Sequence, residues 1–315
     1  VSPLARQLCN RLESSVLGAE ETIFEFVAAL FAGGHILVEG APGVGKTTLV
    51  KTLAQSVSGE FKRVQFTPDL VPSDLLGYSL YRQDKGEFEF ARGPVFTNLL
   101  LADEVNRTSP RIQSALLECM NENQVTIDGI THSLPPLFHV IATQNNRYAS
   151  GTFPLPEPQL DRFLVSIEMI LPDSETRTRI LRQHAHDPAH ESSGAEPVAS
   201  LDELLAAQEF VRTLTVSEPV CAYIIRLGEA IGRHPELESE ISNRGSLSLM
   251  RFAQAVAAMQ ERDAVFPEDV KRALVPAFAH RIRPVSDDSS PRGAARRRAK
   301  TTELLREVRD SVPVE

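Results

Sequence analysis

One octapeptide limits what this chain can fold into more than any other feature. Gly40-Ala41-Pro42-Gly43-Val44-Gly45-Lys46-Thr47 fits the phosphate-loop pattern G-x-x-x-x-G-K-[ST]. At average residue usage, chance supplies such a match in about one chain in a hundred of this length. The flanks agree with it. Residues 36–39 precede it as a short apolar strand, and Leu49, Val50, Leu53, Ala54 and Val57 follow on one helical face. In that setting the glycines let backbone N–H groups curl round an anion at a helix N-terminus. Lys46 then meets the outer phosphates of a nucleotide, and the Thr47 hydroxyl holds Mg2+.

A loop of this type needs a second carboxylate site for magnesium. Leu99-Leu100-Leu101-Ala102-Asp103-Glu104 supplies it, as an apolar strand ending in two acids. Neighbouring strand positions point to opposite sides. That predicts Asp103 in the Mg2+ shell and Glu104 facing an attacking water as general base.

Further strands are predicted at 61–66, 98–102, 139–143 and 163–167, interleaved with helical patterns. Ser109-Pro110 offers an N-cap followed by proline at the first helical position. Strands alternating with helices imply an α/β fold, an αβα sandwich round a parallel central sheet. Two hairpins interrupt it, one at 125–131 turning at Asp128-Gly129, the other at 81–90 turning at Lys85-Gly86. Residues 187–199 are rich in Pro, Ser, Ala, Gly and Glu and read as a linker. Beyond them the pattern is all helical, opened by the capping box Ser200-x-x-Glu203, with further helices near 218–231, 246–260 and 268–279. The expected division is a core at 1–186, a linker at 187–199 and a small helical domain with a tail at 200–315.

Two features invite other chemistry. His184, His186 and His190 cluster with Asp187, but the i, i+2 spacing is wrong for one helix face and Pro188 breaks the segment. They read as solvated linker histidines rather than a metal site. Arg296-Arg297-Arg298 is a basic run in a polar stretch and reads as solvated surface with no ligand. The charge balance, 33 basic against 42 acidic residues, nets −9 and demotes nucleic acid as a partner. Cys9, Cys119 and Cys221 form no paired framework. No apolar run approaches the ~18 residues of a membrane span. The expectation is a soluble cytoplasmic protein without membrane insertion.

The residues around the phosphate loop resemble the MoxR family of AAA+ ATPases from about Val16 to Ile282. The resemblance rests on Gly33-Gly34-His35, Gly93-Pro94, Leu101-Ala102-Asp103-Glu104-Val105-Asn106-Arg107 and Gln113-Ser114-Ala115-Leu116-Leu117-Glu118. It continues through Ala142-Thr143-Gln144-Asn145, Leu155-Pro156-Glu157-Pro158-Gln159-Leu160-Asp161-Arg162-Phe163, Arg262-Asp263, Pro267-Glu268-Asp269-Val270 and His280-Arg281.

The resemblance implies an AAA+ core with a helical lid, ATP and Mg2+ as cofactors, and catalytic roles beyond Glu104. Asn145 resembles sensor 1, which positions water. Arg162 resembles the arginine finger supplied across a subunit boundary. Arg244, in Ser242-Asn243-Arg244 where the family usually has Gly-Ala-Ser-Pro-Arg, resembles sensor 2, acting in its own subunit or a neighbour's. Nucleotide contacts fall to Gly18 against adenine and to Gly40, Pro42, Gly43, Val44, Gly45, Lys46, Thr47, Thr48 and Asp103. Asn146-Arg147-Tyr148 follows sensor 1 where the family has proline. The implied assembly is a hexameric ring. It would remodel a protein client together with a von Willebrand factor A domain protein, including metal-cofactor insertion. The hairpins resemble inserts that face the pore or partner side. Two rivals are a nucleic-acid motor, opposed by the acidic balance, and a nucleotide-gated scaffold with little turnover, opposed by Glu104 and Arg162.

Overall fold

Short runs that are apolar at nearly every position cannot lie on a solvated surface, and here they form the middle of a sheet. In the computed structural model, which describes residues 1–145, 152–186, 196–238, 240–285 and 293–314, α1 (Ser2–Ser15) and α2 (Glu20–Phe31) lead into β1 (Ile36–Gly40) and α3 (Lys46–Ser56). Next come β2 (Phe61–Gln65), α4 (Pro72–Leu76), the hairpin β3 (Gly77–Arg82) and β4 (Glu87–Arg92), then β5 (Leu99–Asp103) and α5 (Pro110–Glu122). The hairpin β6 (Gln124–Ile127) and β7 (Ile130–Ser133) precedes β8 (His139–Gln144), α6 (Glu157–Leu160), β9 (Val165–Met169) and α7 (Ser174–His186). Five helices follow: α8 (Leu201–Thr213), α9 (Glu218–Gly232), α10 (Asn243–Met259), α11 (Pro267–Phe278) and α12 (Gly293–Ser311).

The central sheet has the order β2-β5-β8-β1-β9 with every pairing parallel. β1 and β5 are buried at all five positions, as strands covered on both faces must be. Their alternation sorts side chains into two cores. Ile36, Val38, Leu99 and Leu101 join α1, α2, α3 and the helical domain. Leu37, Leu100 and Ala102 join Phe66, Leu116, Phe138 and Val140 on the other face. Residues 26–32, apolar at every position, form the buried end of α2 and its C-cap, where the turns are enclosed.

The last strand begins two residues later than the apolar run suggests, because Phe163 N–H closes a turn onto Leu160 O. Both hairpins form. Asp128 and Gly129 carry positive φ values of 50° and 79° in the two-residue turn of the second. The Ser200 capping box is present, with Ser200 Oγ accepting from Glu203 N–H. Residues 196–199 pair with the end of α3 through Val198 and Ala199 N–H to Ser56 O. The helical domain packs on the α2 and β9 side, through α10 on α2 and α11 on β9. No helix among the described residues is long and apolar enough to cross a membrane.

Candidate active site

The phosphate loop leaves the carboxyl end of β1. Gly40 is pressed against β9, where a Cβ would lie 2.4 Å from Met169 O, so no other residue fits. Gly45 caps α3 in the left-handed region, φ 97°, which turns the first N–H groups of the helix toward the loop. Lys46 Nζ lies in the loop's mouth and donates to Gly40 O at 2.5 Å, and to Ala41 O and Gln144 O at 3.3 Å. Burial pulls its ammonium below the usual lysine value, against the opposing pull of Asp103, Glu104 and Glu39. Pro42 and Gly43 are exposed, Val44 is buried, and Thr47 and Thr48 occupy the first turn of α3. The turn between α1 and α2 borders this loop. Val16 Cγ1 lies 3.7 Å from where a Cβ on Gly45 would sit, and Gly18, at φ +71°, packs on Thr176 and Pro172.

The acids lie two strands away. Asp103 is buried and both its oxygens accept: Oδ1 from Thr143 Oγ1 at 2.6 Å, and Oδ2 from Arg63 Nε and Nη2 at 3.1 and 2.8 Å. Glu104 departs from the strand-alternation reading. β5 ends at Asp103, and Glu104 adopts a left-handed backbone, φ 57°, that caps a short turn at Val105–Arg107. Its direction is therefore set by a strained turn rather than by the pleat. Its Oε2 accepts from Gln65 Nε2 at 3.0 Å and from Arg107 Nη1 at 2.8 Å, while its N–H donates to Thr143 Oγ1 at 2.9 Å. Thr143 thus ties both acids to β8. Asn145 follows β8 directly, its carbonyl accepting from Asn106 Nδ2 at 3.2 Å. Lys46, Asp103, Glu104, Asn145 and Thr47 share the carboxyl end of one sheet. Oxygen donors such as the Thr47 hydroxyl and the Asp103 carboxylate suit a hard divalent cation. The residues after Asn145, 146–148, lie outside the described residues.

Behind the loop is a buried polar cluster that sequence reasoning missed. Glu39 Oε1 accepts from Gln144 Nε2 and Oε2 from Ser166 Oγ, both at 2.5 Å. Arg298 pairs with Glu39 at 3.1 Å and donates to Ser166 O at 2.9 Å. The basic run is therefore not uniformly solvated surface. Arg296 is exposed, but Arg298 is 7% exposed and tucks α12 against β1 and β9. The reading failed because a polar stretch proved to be a helix, with Arg298, Thr301, Leu304, Leu305 and Val308 on its buried face. That spacing was present in the sequence. The side chains of the candidate histidine cluster lie outside the described residues.

Arg162 and Arg244 stand apart from the loop. Leu164 N–H bonds His35 O, level with the start of β1, whereas Gly40 is level with Met169. Arg162 is thus at least five strand residues, roughly 16 Å, below its own P-loop. An arginine side chain reaches only about 7 Å. The adjacent Asp161 does not pair with it; its partner is Arg281 of the helical domain, at 2.8 Å. Arg244 lies in the first turn of α10, 3.4 Å from Asn121 Oδ1. The structure therefore gathers the loop, the acids and Asn145, and leaves both arginines outside.

Comparison with known proteins fits this geometry. Residues 35–165 match the ATPase family associated with various cellular activities (AAA), and residues 229–305 match the AAA lid domain. The chain is 40% identical to the uncharacterized protein YeaC of Bacillus subtilis, over 89% of this chain and 87% of that protein. It is 38% identical to the chaperone MoxR1 of Mycobacterium tuberculosis, over 85% of this chain and 72% of that one. A crystal structure from Cytophaga hutchinsonii, provisionally called an ATPase, superposes with a TM-score of 0.86 at 35% identity, covering 100% of this chain and 96% of its own. An AAA core with an AAA lid, and this degree of identity to MoxR1 along most of its length, make the chain a member of the MoxR family of AAA+ ATPases.

Proposed function

We propose that the chain works as a Mg2+-dependent ATPase ring, a hexamer, that remodels a protein client in the cytoplasm. The observation that carries the ring is the separation of Arg162 from its own phosphate loop by most of the strand length. A site that needs this guanidinium is completed only by a neighbour. The proposed division of the chain is an ATPase core at 1–186, a linker at 187–199 and a lid at 200–315.

Within each site, Gly18 borders the adenine, and the backbone from Gly40 through Gly45, with Pro42, Gly43 and Val44, cradles the phosphates beside Lys46, Thr47 and Thr48. Thr47 and Asp103 would hold Mg2+, partly through water, and the ion would offset phosphate charge. Glu104 takes the proton of the attacking water, which Asn145 orients. The neighbour's Arg162 stabilises charge on the departing phosphate. Arg244 contributes to sensing nucleotide.

The chaperone name of MoxR1 supports client remodelling. The family resemblance adds a von Willebrand factor A domain protein as adaptor and metal-cofactor insertion as the kind of maturation. The test is a pull-down with Glu104→Gln in ATP and Mg2+, a form expected to bind ATP without hydrolysing it. Enrichment of an A-domain protein, lost on adding Lys46→Ala, is the expected result. Recovery of nucleic acid without a protein partner would overturn the chaperone reading in favour of a motor.

A further inference from the structure

The segment that offers Arg162 is gripped by the lid. Arg281 follows α11 and its side chain is 5% exposed. Its Nε donates to Asp161 Oδ1 at 2.8 Å. Its Nη2 donates to Phe163 O at 2.6 Å, Asp161 O at 3.3 Å and Ser248 Oγ at 3.1 Å. Its Nη1 donates to Leu164 O at 3.2 Å and to Ala277 O. The residues on both sides of Arg162 are therefore bound to one planar fork, whose geometry lysine cannot reproduce.

Three neighbours reinforce the grip. His280 Nε2 lies 3.2 Å from Phe163 O, and since a carbonyl only accepts, that nitrogen carries the proton. Ser242 Oγ, at the N-cap of α10, lies 3.4 Å from Asp161 Oδ2. Arg283 adds an ion pair to Glu157 of α6 at 3.0 Å. From the core side, Leu164 N–H on His35 O is the anchor at the same level.

We propose that Arg281 is a positioning residue for the finger: through Asp161, Phe163 and Leu164 the lid of one subunit sets where Arg162 meets the nucleotide of the next. The proposal rests on the reading of Arg162 as a finger acting in trans. A shift of α10 and α11 would carry the 161–164 segment with it, so the lid's position in one subunit governs hydrolysis in its neighbour.

A buried ion pair is by itself weak evidence of anything beyond packing. The test therefore separates position from stability. Two full-length chains are joined in tandem, one carrying Lys46→Ala and supplying only a finger, the other carrying Arg162→Ala and supplying only a phosphate loop. Arg281→Gln is then placed in one half or the other, and assembly is checked by size. In the finger-giving half, kcat should fall about 10²-fold, the cost of a misplacement near 1 Å, with KM for ATP almost unchanged. In the other half, whose finger is already removed, the rate should stay within about twofold.

Equal loss from both placements would mark Arg281 as structural and overturn the proposal, as would no loss from either. Asp161→Asn, which keeps shape but weakens the pair, should give the same asymmetry and carries the test if Arg281→Gln chains fail to assemble. An assembled but inactive parent tandem would instead sink the finger reading beneath the proposal.

Discussion

At the carboxyl end of the sheet, the candidate groups sit on strand ends or within a residue of one. Gly40 closes β1, Asp103 closes β5, and Asn145 follows β8. At the amino end, the segment 161–164 is held by a residue 117 to 120 positions further along the chain. The first arrangement is built from strand ends of the core; the second is held together by Arg281 of the lid. On the proposed reading, a site split this way would bind nucleotide as a single chain and need an assembled neighbour, with its lid in place, to complete the chemistry.

The largest expected effect tests that split directly. Arg162→Ala should bind ATP yet lose roughly 10³–10⁵ in turnover, the range known for arginine fingers. Lys46→Ala should also be inactive, but through weakened nucleotide binding. Mixed in one ring, the first keeps a phosphate loop and the second keeps a finger. Steady-state hydrolysis should reappear in the mixture and rise with protein concentration as rings assemble. If linked or mixed rings form and stay inactive at every ratio, the two ends do not cooperate between subunits.

A smaller effect is expected wholly within the carboxyl end. Glu104→Gln keeps the side chain's size and its hydrogen bonding to Gln65 while removing basicity. Turnover should fall at least about 100-fold, the scale of general-base loss, with ATP retained and no rescue by mixing with Lys46→Ala. Recovery on mixing would place the water-activating group on the neighbour. Near-normal hydrolysis would return Glu104 to a purely structural role as the cap of the Val105–Arg107 turn.

How far each end was legible follows the same division. The phosphate loop and the Asp-Glu pair are contiguous motifs whose chemistry depends on local backbone, so residue order was enough to find them. Glu104's partners were not readable, because φ 57° at that residue follows from the turn at Val105–Arg107 and not from β5. Arg63, Gln65 and Thr143 reach the acids only through the strand order β2-β5-β8, which no spacing reveals. Arg281 stood in a segment matched by resemblance, but its grip on 161–164 depends on how α11 meets β9. Arg298 had a signal, the helical stripe running from it to Val308, that its basic neighbours masked.

The smallest expected effect probes the bolt that fixes the amino end of β1. His35 Nδ1 lies 3.0 Å from Val140 N, and its Nε2 lies 3.1 Å from Met120 O. A backbone N–H can only donate and a carbonyl only accept, so the ring is neutral with its proton on Nε2. A second proton would face the Val140 N–H. Burial lowers the His35 pKa to about 4, only partly offset by the Met120 bond, and lowers that of His139, 6.0 Å away, to about 3. The unfolded chain takes up protons near pH 6.5, which the folded chain excludes until well below. Stability is therefore complete above that pH and is lost as pH falls through the window down to about 4. His35 keeps some surface exposure, so the loss from this group is at most about 2 kcal/mol by pH 5. That corresponds to roughly 3 °C in Tm for a chain of this size. His35→Gln retains an acceptor and a donor but does not titrate. Its Tm should be lower than the parent's at pH 7, yet decline less between pH 7 and pH 5, while nucleotide affinity at pH 7 is unchanged because the loop lies at the other end of β1. Parallel declines in the two proteins would remove His35 from the acid response. A loss of nucleotide binding at pH 7 would show that the two ends of β1 are coupled more tightly than their separate construction implies.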